Sequence, residues 1–137
     1  MLFWAVITSL LLSVSGDRPA CSTLETTETT NFLIRKLEEQ RVGTCNCSEN
    51  ATNCLCLPIP SDNCITSCFH DGLRKMSRAL PIIDRVDLQR VNTSIQILQI
   101  LQCEPFSCKE PCNATATGNM VEFLYAIQGN LQKAGHR

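Results

Sequence analysis

Cys45 to Cys68 reads CNCSENATNCLCLPIPSDNCITSC, and the reading of this stretch decides the fold. It carries six of the chain's ten cysteines, two C-x-C pairs, two Asn-x-Ser/Thr sequons and the Pro58-Ile59-Pro60 break. Apolar periodicity is too slight, and turn punctuation too dense, for one regular element. The stretch therefore reads as a disulfide-stapled crossover between the amphipathic segments on either side of it.

The start of the chain says where those cysteines are used. Leu2 to Leu12 is an apolar run, and Val14 and Gly16 stand at the −3 and −1 positions of a signal-peptidase site. The run falls short of the roughly 20 residues that span a bilayer. Residues 1–16 are thus expected to be a signal peptide, with residues 17–137 forming one secreted domain. An exported chain meets an oxidising compartment. Cys21, Cys45, Cys47, Cys54, Cys56, Cys64, Cys68, Cys103, Cys108 and Cys112 are therefore expected in disulfides rather than as zinc ligands or nucleophiles.

Other function classes recede on composition. The net charge is −1 with no block of like charge, which gives no footing for nucleic acid or a polybasic membrane surface. Downstream of the leader the longest uncharged run is Val91 to Cys103, too short and too rich in Asn, Gln, Ser and Thr to insert in a membrane. The two histidines, His70 and His136, belong to no catalytic motif, and no cofactor is expected.

The flanking segments have helical period. Residues 22–41 form the first helix, with Ser22 and Glu25 in a capping-box pattern, Thr30, Leu33, Ile34 and Leu37 on one face, and Gly43 as its C-terminal cap. From Ser61 or Asp62 to about Ala79 runs the second. Its stripe is Ile65, Cys68, Phe69, Gly72, Leu73, Met76 and Leu80, with Gly72 giving a neighbouring helix room to approach. The third spans 82–102. Ile83, Val86, Val91, Ile95, Leu98 and Leu101 are expected to be buried, with Ile97 and Ile100 widening the face toward a second neighbour. Thr117 is expected to cap the fourth, which runs to about Ala134 on Met120, Leu124, Ile127, Leu131 and Ala134.

Such helices are unstable alone and must share a core. Pro81 joins the second to the third almost directly, so they are antiparallel neighbours. The two longer links can each run the whole length of a bundle: eighteen residues reach about 60 Å, and a helix of eighteen is about 27 Å long. The expected fold is an all-α, up-up-down-down four-helix bundle with two long disulfide-stapled crossovers. In that order Cys21, Cys64, Cys68 and Cys103 share one end, and Cys45, Cys47 and Cys112 the other. Bridges should form within an end, while Cys54, Cys56 and Cys108 sit mid-crossover and are free to join either.

Four sequons are candidate glycosylation sites: Asn46, Asn50, Asn92 and Asn113. Asn50 and Asn113 are favoured, because they lie in polar crossovers and use Thr. Asn46 is pinned between two cysteines, and Asn92 qualifies only if its side of the third helix faces outward.

The crossover strings CNCSENATNCLCLPIPSDNCITSCF (45–69) and CEPFSCKEPCNAT (103–115), Asn31-Phe-Leu-Ile34 and the Phe123-Leu124 and Leu131-Gln-Lys133 steps resemble the interleukin-9 family of common-gamma-chain cytokines. The resemblance covers nearly all of the mature chain. It implies a secreted monomeric cytokine, a growth and immune-regulatory factor. Such a factor engages the interleukin-9 receptor alpha chain and the common gamma chain, with Janus kinases on the cytoplasmic side. Where the family pattern has Thr this chain has Ile65, so Asn63 opens no sequon. Receptor contact is expected on the polar faces of the first, third and fourth helices. Gln132 and Gln128, four residues apart beside the buried stripe of the fourth, are the candidates for the common gamma chain. The runner-up is a disulfide-stapled helical lipid carrier or host-defence protein, whose bundle would hold a cavity instead of a filled core.

Overall fold

The computed structural model describes residues 21–48, 53–60 and 64–135. The expected signal peptide (1–16), Asn50, the Ser61/Asp62 cap, Asn63 and His136 lie outside the described residues. Four helices carry the fold: α1 Leu24–Gln40, α2 Ile65–Ala79, α3 Ile82–Ile100 and α4 Met120–Gly135. Between them stand two short strands, β1 Leu57–Ile59 and β2 Ala116–Gly118.

Contacts at the helix ends fix the direction of each helix. Cys21 before α1 is bridged to Cys103 after α3, and Cys64 before α2 to Cys108 after α3. The Thr23 hydroxyl, at the start of α1, donates to the Leu131 carbonyl near the end of α4 (2.9 Å). At the other pole the Val121 N–H at the start of α4 donates to the Gly43 carbonyl beyond α1 (3.3 Å). Helices α1 and α2 thus run one way and α3 and α4 the other, the up-up-down-down order expected from the linkers. Each crossover contributes one strand to an antiparallel ribbon, with Leu57 opposite Gly118 and Ile59 opposite Ala116. Such a ribbon is hard to foresee, since three residues carry no readable period.

The buried stripes of α2 and α4 are those the spacing predicts. Phe69 meets Phe123 edge to face at 5.7 Å and lies 6.2 Å from Phe106, which the second crossover inserts into the core. Gly72 does allow close approach. A Cβ there would overlap the Phe123 ring, so α2 and α4 meet across a bare backbone. Gly43, at φ 70°, is likewise covered by Met120 and takes a left-handed backbone conformation that a side chain would strain.

α3 departs from expectation. Its buried stripe is Asp84, Leu88, Val91, Ile95 and Leu98. Ile83, Val86, Ile97, Ile100 and Leu101 face solvent, with Ile100 76% exposed. The helix is apolar on two sides, and the side that starts with Asp84 can be buried because Lys36 of α1 neutralises that carboxylate.

Caps differ as well. α1 is preceded by Thr23 with no side-chain cap bond, and it ends at Arg41 in the left-handed region, ahead of Gly43. Asn119, not Thr117, caps α4. Its Oδ1 accepts from the Glu122 N–H (2.8 Å) while its own N–H donates to Glu122 Oε1 (3.0 Å), a reciprocal capping box. Thr117 is spent in β2.

All ten cysteines pair, as Cys21–Cys103, Cys45–Cys54, Cys47–Cys56, Cys64–Cys108 and Cys68–Cys112. The expectation for Cys112 is overturned. It joins Cys68 in the first turn of α2, so the second crossover stays at that end through Cys112 and climbs only afterwards. In the chain-entropy account the 82-residue closure contributes about 4.5 kcal/mol and each nine-residue closure about 2.5.

Candidate receptor-facing surface

Two faces flank α1. On one, α4 presents Tyr125, Gln128 and Gln132 on a single strip beside its buried Leu124, Ile127 and Leu131. Gln132 is exposed and Gln128 half-buried. Asn31, Ile34 and Arg35 of α1 join Tyr125 and Gln128 around a depression of about 390 Å³. Gln132 borders a second, of about 300 Å³, with Thr23, Leu24 and Thr27. Both glutamines expected at a receptor contact therefore edge surface hollows, where their amides can give and accept hydrogen bonds.

Tyr125 is the residue that the sequence reading missed. It is 48% exposed, and its hydroxyl donates to Glu38 Oε1 of α1 at 3.3 Å. Its phenol is raised above the ordinary value by partial desolvation, then by the charge of Glu38 and by the hydrogen bond to it. The group stays a neutral donor on the strip. The signal was available: Tyr125 lies three residues before Gln128, on the same side of the helix.

The second face is the outward side of α3. Ile82, Val86, Ile97 and Ile100 lie along its length, and Gln89, Arg90 and Thr93 occupy the middle. Between α3 and α1 runs a groove of about 470 Å³ lined by Glu25, Thr26, Thr29, Gln89, Arg90 and Ser94. Leu24, 70% exposed at the start of α1, belongs instead to the first face, at the hollow that Gln132 borders. A surface helix that is apolar on both sides has one side in want of a partner.

The sequons are placed differently from one another. Asn46 and Asn113 are exposed. The Asn46 Oδ1 accepts from the Ser48 N–H (3.0 Å) and hydroxyl (2.6 Å). Asn92 is half-buried and turned to α2, where its Oδ1 meets the Nδ1 of His70. The volume in which a carrier would hold cargo is filled by Phe69, Phe106, Phe123 and the leucines around them. Among the described residues no helix is long and apolar enough to cross a membrane.

A family model described as Interleukin-9 matches residues 1–127. Mouse interleukin-9 is 40% identical over 97% of this chain and 93% of its own length. Human interleukin-9 is 41% identical over the same shares of the two chains. With a family match across most of its length and relatives this similar over nearly all of it, the chain belongs to the interleukin-9 family of cytokines.

Proposed function

We propose that this protein is a secreted, monomeric signal that brings together the interleukin-9 receptor alpha chain and the common gamma chain, and so activates the Janus kinases they carry. The observation that carries the reading is the presence of two separate exposed faces on either side of α1, of different chemistry. The α3 face, with Ile82, Val86, Ile97 and Ile100, suits the private alpha chain. Removing these exposed aliphatic side chains from water on docking is favourable in proportion to the apolar area covered. The Tyr125–Gln128–Gln132 strip suits the shared chain. Uncharged hydrogen-bonding groups are desolvated there without the penalty of a buried ion. Asn50 and Asn113 are the sites proposed to carry glycan, with Asn46, exposed but set between the bridged Cys45 and Cys47, the remaining crossover sequon.

Binding of each receptor ectodomain, alone and together, tests this reading. Assembly of one alpha chain and one gamma chain on one copy of this protein supports it. Ile97→Asp with Ile100→Asp should weaken alpha-chain binding at least about tenfold while leaving the melting curve in place. Unchanged alpha-chain affinity would remove α3 from the interface.

A further inference from the structure

Two of the five bridges lie against each other. Cys45–Cys54 and Cys47–Cys56 both sit in the first crossover. The Sγ of Cys54 is 3.6 Å from the Sγ of Cys47 and 3.6 Å from the Sγ of Cys56. Those are van der Waals contacts between sulfurs of different bridges, close to the distance from which a thiolate attacks a disulfide. Access differs too. All four residues are only half-buried, whereas Cys21–Cys103, Cys64–Cys108 and Cys68–Cys112 each contain a buried cysteine. The two nine-residue loops are also the least constraining of the five closures.

We propose that this pair of bridges is a thiol–disulfide exchange site for an external dithiol, such as the C-x-x-C centre of an extracellular oxidoreductase. The dithiol reduces Cys47–Cys56: its two sulfurs become a disulfide, and their two protons and two electrons leave Cys47 and Cys56 as thiols. Either one, once deprotonated, attacks Cys54 Sγ. The Cys45–Cys54 bond breaks, a Cys47–Cys54 or Cys54–Cys56 bond forms, and Cys45 departs as thiolate and takes up a proton. One bridge therefore migrates among neighbouring sulfurs, and the other three are spared by burial. The thiol released belongs to Cys45, whose carbonyl accepts from the Asn119 side chain that caps α4 (2.8 Å). Exchange thus acts beside the start of the helix that bears Gln128 and Gln132.

The full secreted protein is treated with one equivalent of dithiothreitol, or of a reduced thioredoxin, at mildly alkaline pH. It is then trapped with an alkylating reagent and mapped by mass spectrometry without reduction. Labelling of Cys45, Cys47, Cys54 and Cys56 should exceed that of every other cysteine at least about tenfold. Peptides linked through Cys47–Cys54 or Cys54–Cys56 should appear. In a Cys45→Ser/Cys54→Ser variant the remaining Cys47–Cys56 bridge should be reduced without any new link. First labelling at Cys64, Cys103 or Cys68, uniform labelling of all ten, or labelling of the four with no new link would each overturn the proposal.

Discussion

Lys36 of α1 places its Nζ 2.5 Å from Oδ1 of Asp84 in the first turn of α3, and the two ends of this bond are unequally buried. The lysine side chain is 26% exposed and the aspartate 3%. The pair holds α1 against α3 beside the α2–α3 junction, and the carboxylate gains further from the positive end of its own helix.

That inequality predicts an asymmetric response. Lys36→Ala strands a carboxylate in the interior and should destabilise by about 3 kcal/mol. Asp84→Asn leaves a lysine that can turn to water, and should cost about 1–2 kcal/mol. Urea unfolding of the two variants measures the difference. Equal losses would mean that the aspartate is not the dependent partner.

Gly72 invites the opposite of the usual helix substitution. Alanine in a helix interior ordinarily gains about 1 kcal/mol over glycine. Here the added methyl would overlap the Phe123 ring, itself held edge-on by Phe69. Gly72→Ala should destabilise by about 2 kcal/mol, and Phe123→Leu in the same chain should recover some of that loss. Thermal melts of the single and double variants check the coupling.

These two sites also show what was legible in the residues alone. The stripe of α2 can be read whole, Gly72 included, because its apolar residues recur on one side only. α3 cannot, because isoleucines lie on both sides. Burial of the observed side requires a neutralised Asp84, which a reading of hydrophobicity assigns to solvent. Thr117 and Asn119 are both plausible caps two residues apart, and only the reciprocal bonds with Glu122 separate them. The β1–β2 ribbon and Phe106 arise from contacts between distant segments, which local pattern does not encode. Gln128 and Gln132 fall on one accessible strip because the core period of α4 is simple. Tyr125 shares that strip, but its role depends on Glu38 of α1, 87 residues away, and no local spacing reveals that bond.

Tyr125 is the chain's single tyrosine, so its ionisation can be followed by absorbance without interference from another phenol. The midpoint in the folded protein should lie above the ordinary phenol value of about 10. Glu38→Gln should lower it, by removing the charge and weakening the acceptor. With the folded value raised, this contribution to stability is complete below about pH 10 and is lost as pH rises through the folded value. A midpoint unmoved by Glu38→Gln would show that the bond does not hold in solution.

Peptide mapping after enzymatic deglycosylation in water enriched in heavy oxygen should find Asn50 and Asn113 converted and Asn92 unmodified. Asn92 is half-buried and its amide is engaged by His70 across the α2–α3 contact, so a glycan there would push α2 and α3 apart. Substantial conversion at Asn92 would show that this contact is dispensable. His70→Ala should lower stability by about 1 kcal/mol, the usual worth of one such bond.

The most direct test of signalling is Gln132→Asp. The residue is exposed on α4, at the rim of the hollow that Thr23, Leu24 and Thr27 share, and it makes no contact on which the core depends. Circular dichroism and melting should therefore match the parent within about 0.5 kcal/mol. The substitution keeps an acceptor, removes the amide donors and adds a charge that must be desolvated on docking. Affinity for the alpha chain should persist, because that chain is assigned to α3 on the other side of α1. Recruitment of the common gamma chain and downstream kinase activation should fall at least about tenfold. Gln128→Asp should act in the same direction but less strongly, since that side chain is already half covered by its neighbours. A Gln132→Asp protein that signals as well as the parent would exclude this residue from the contact. Loss of alpha-chain binding instead would exchange the assignments of the two faces.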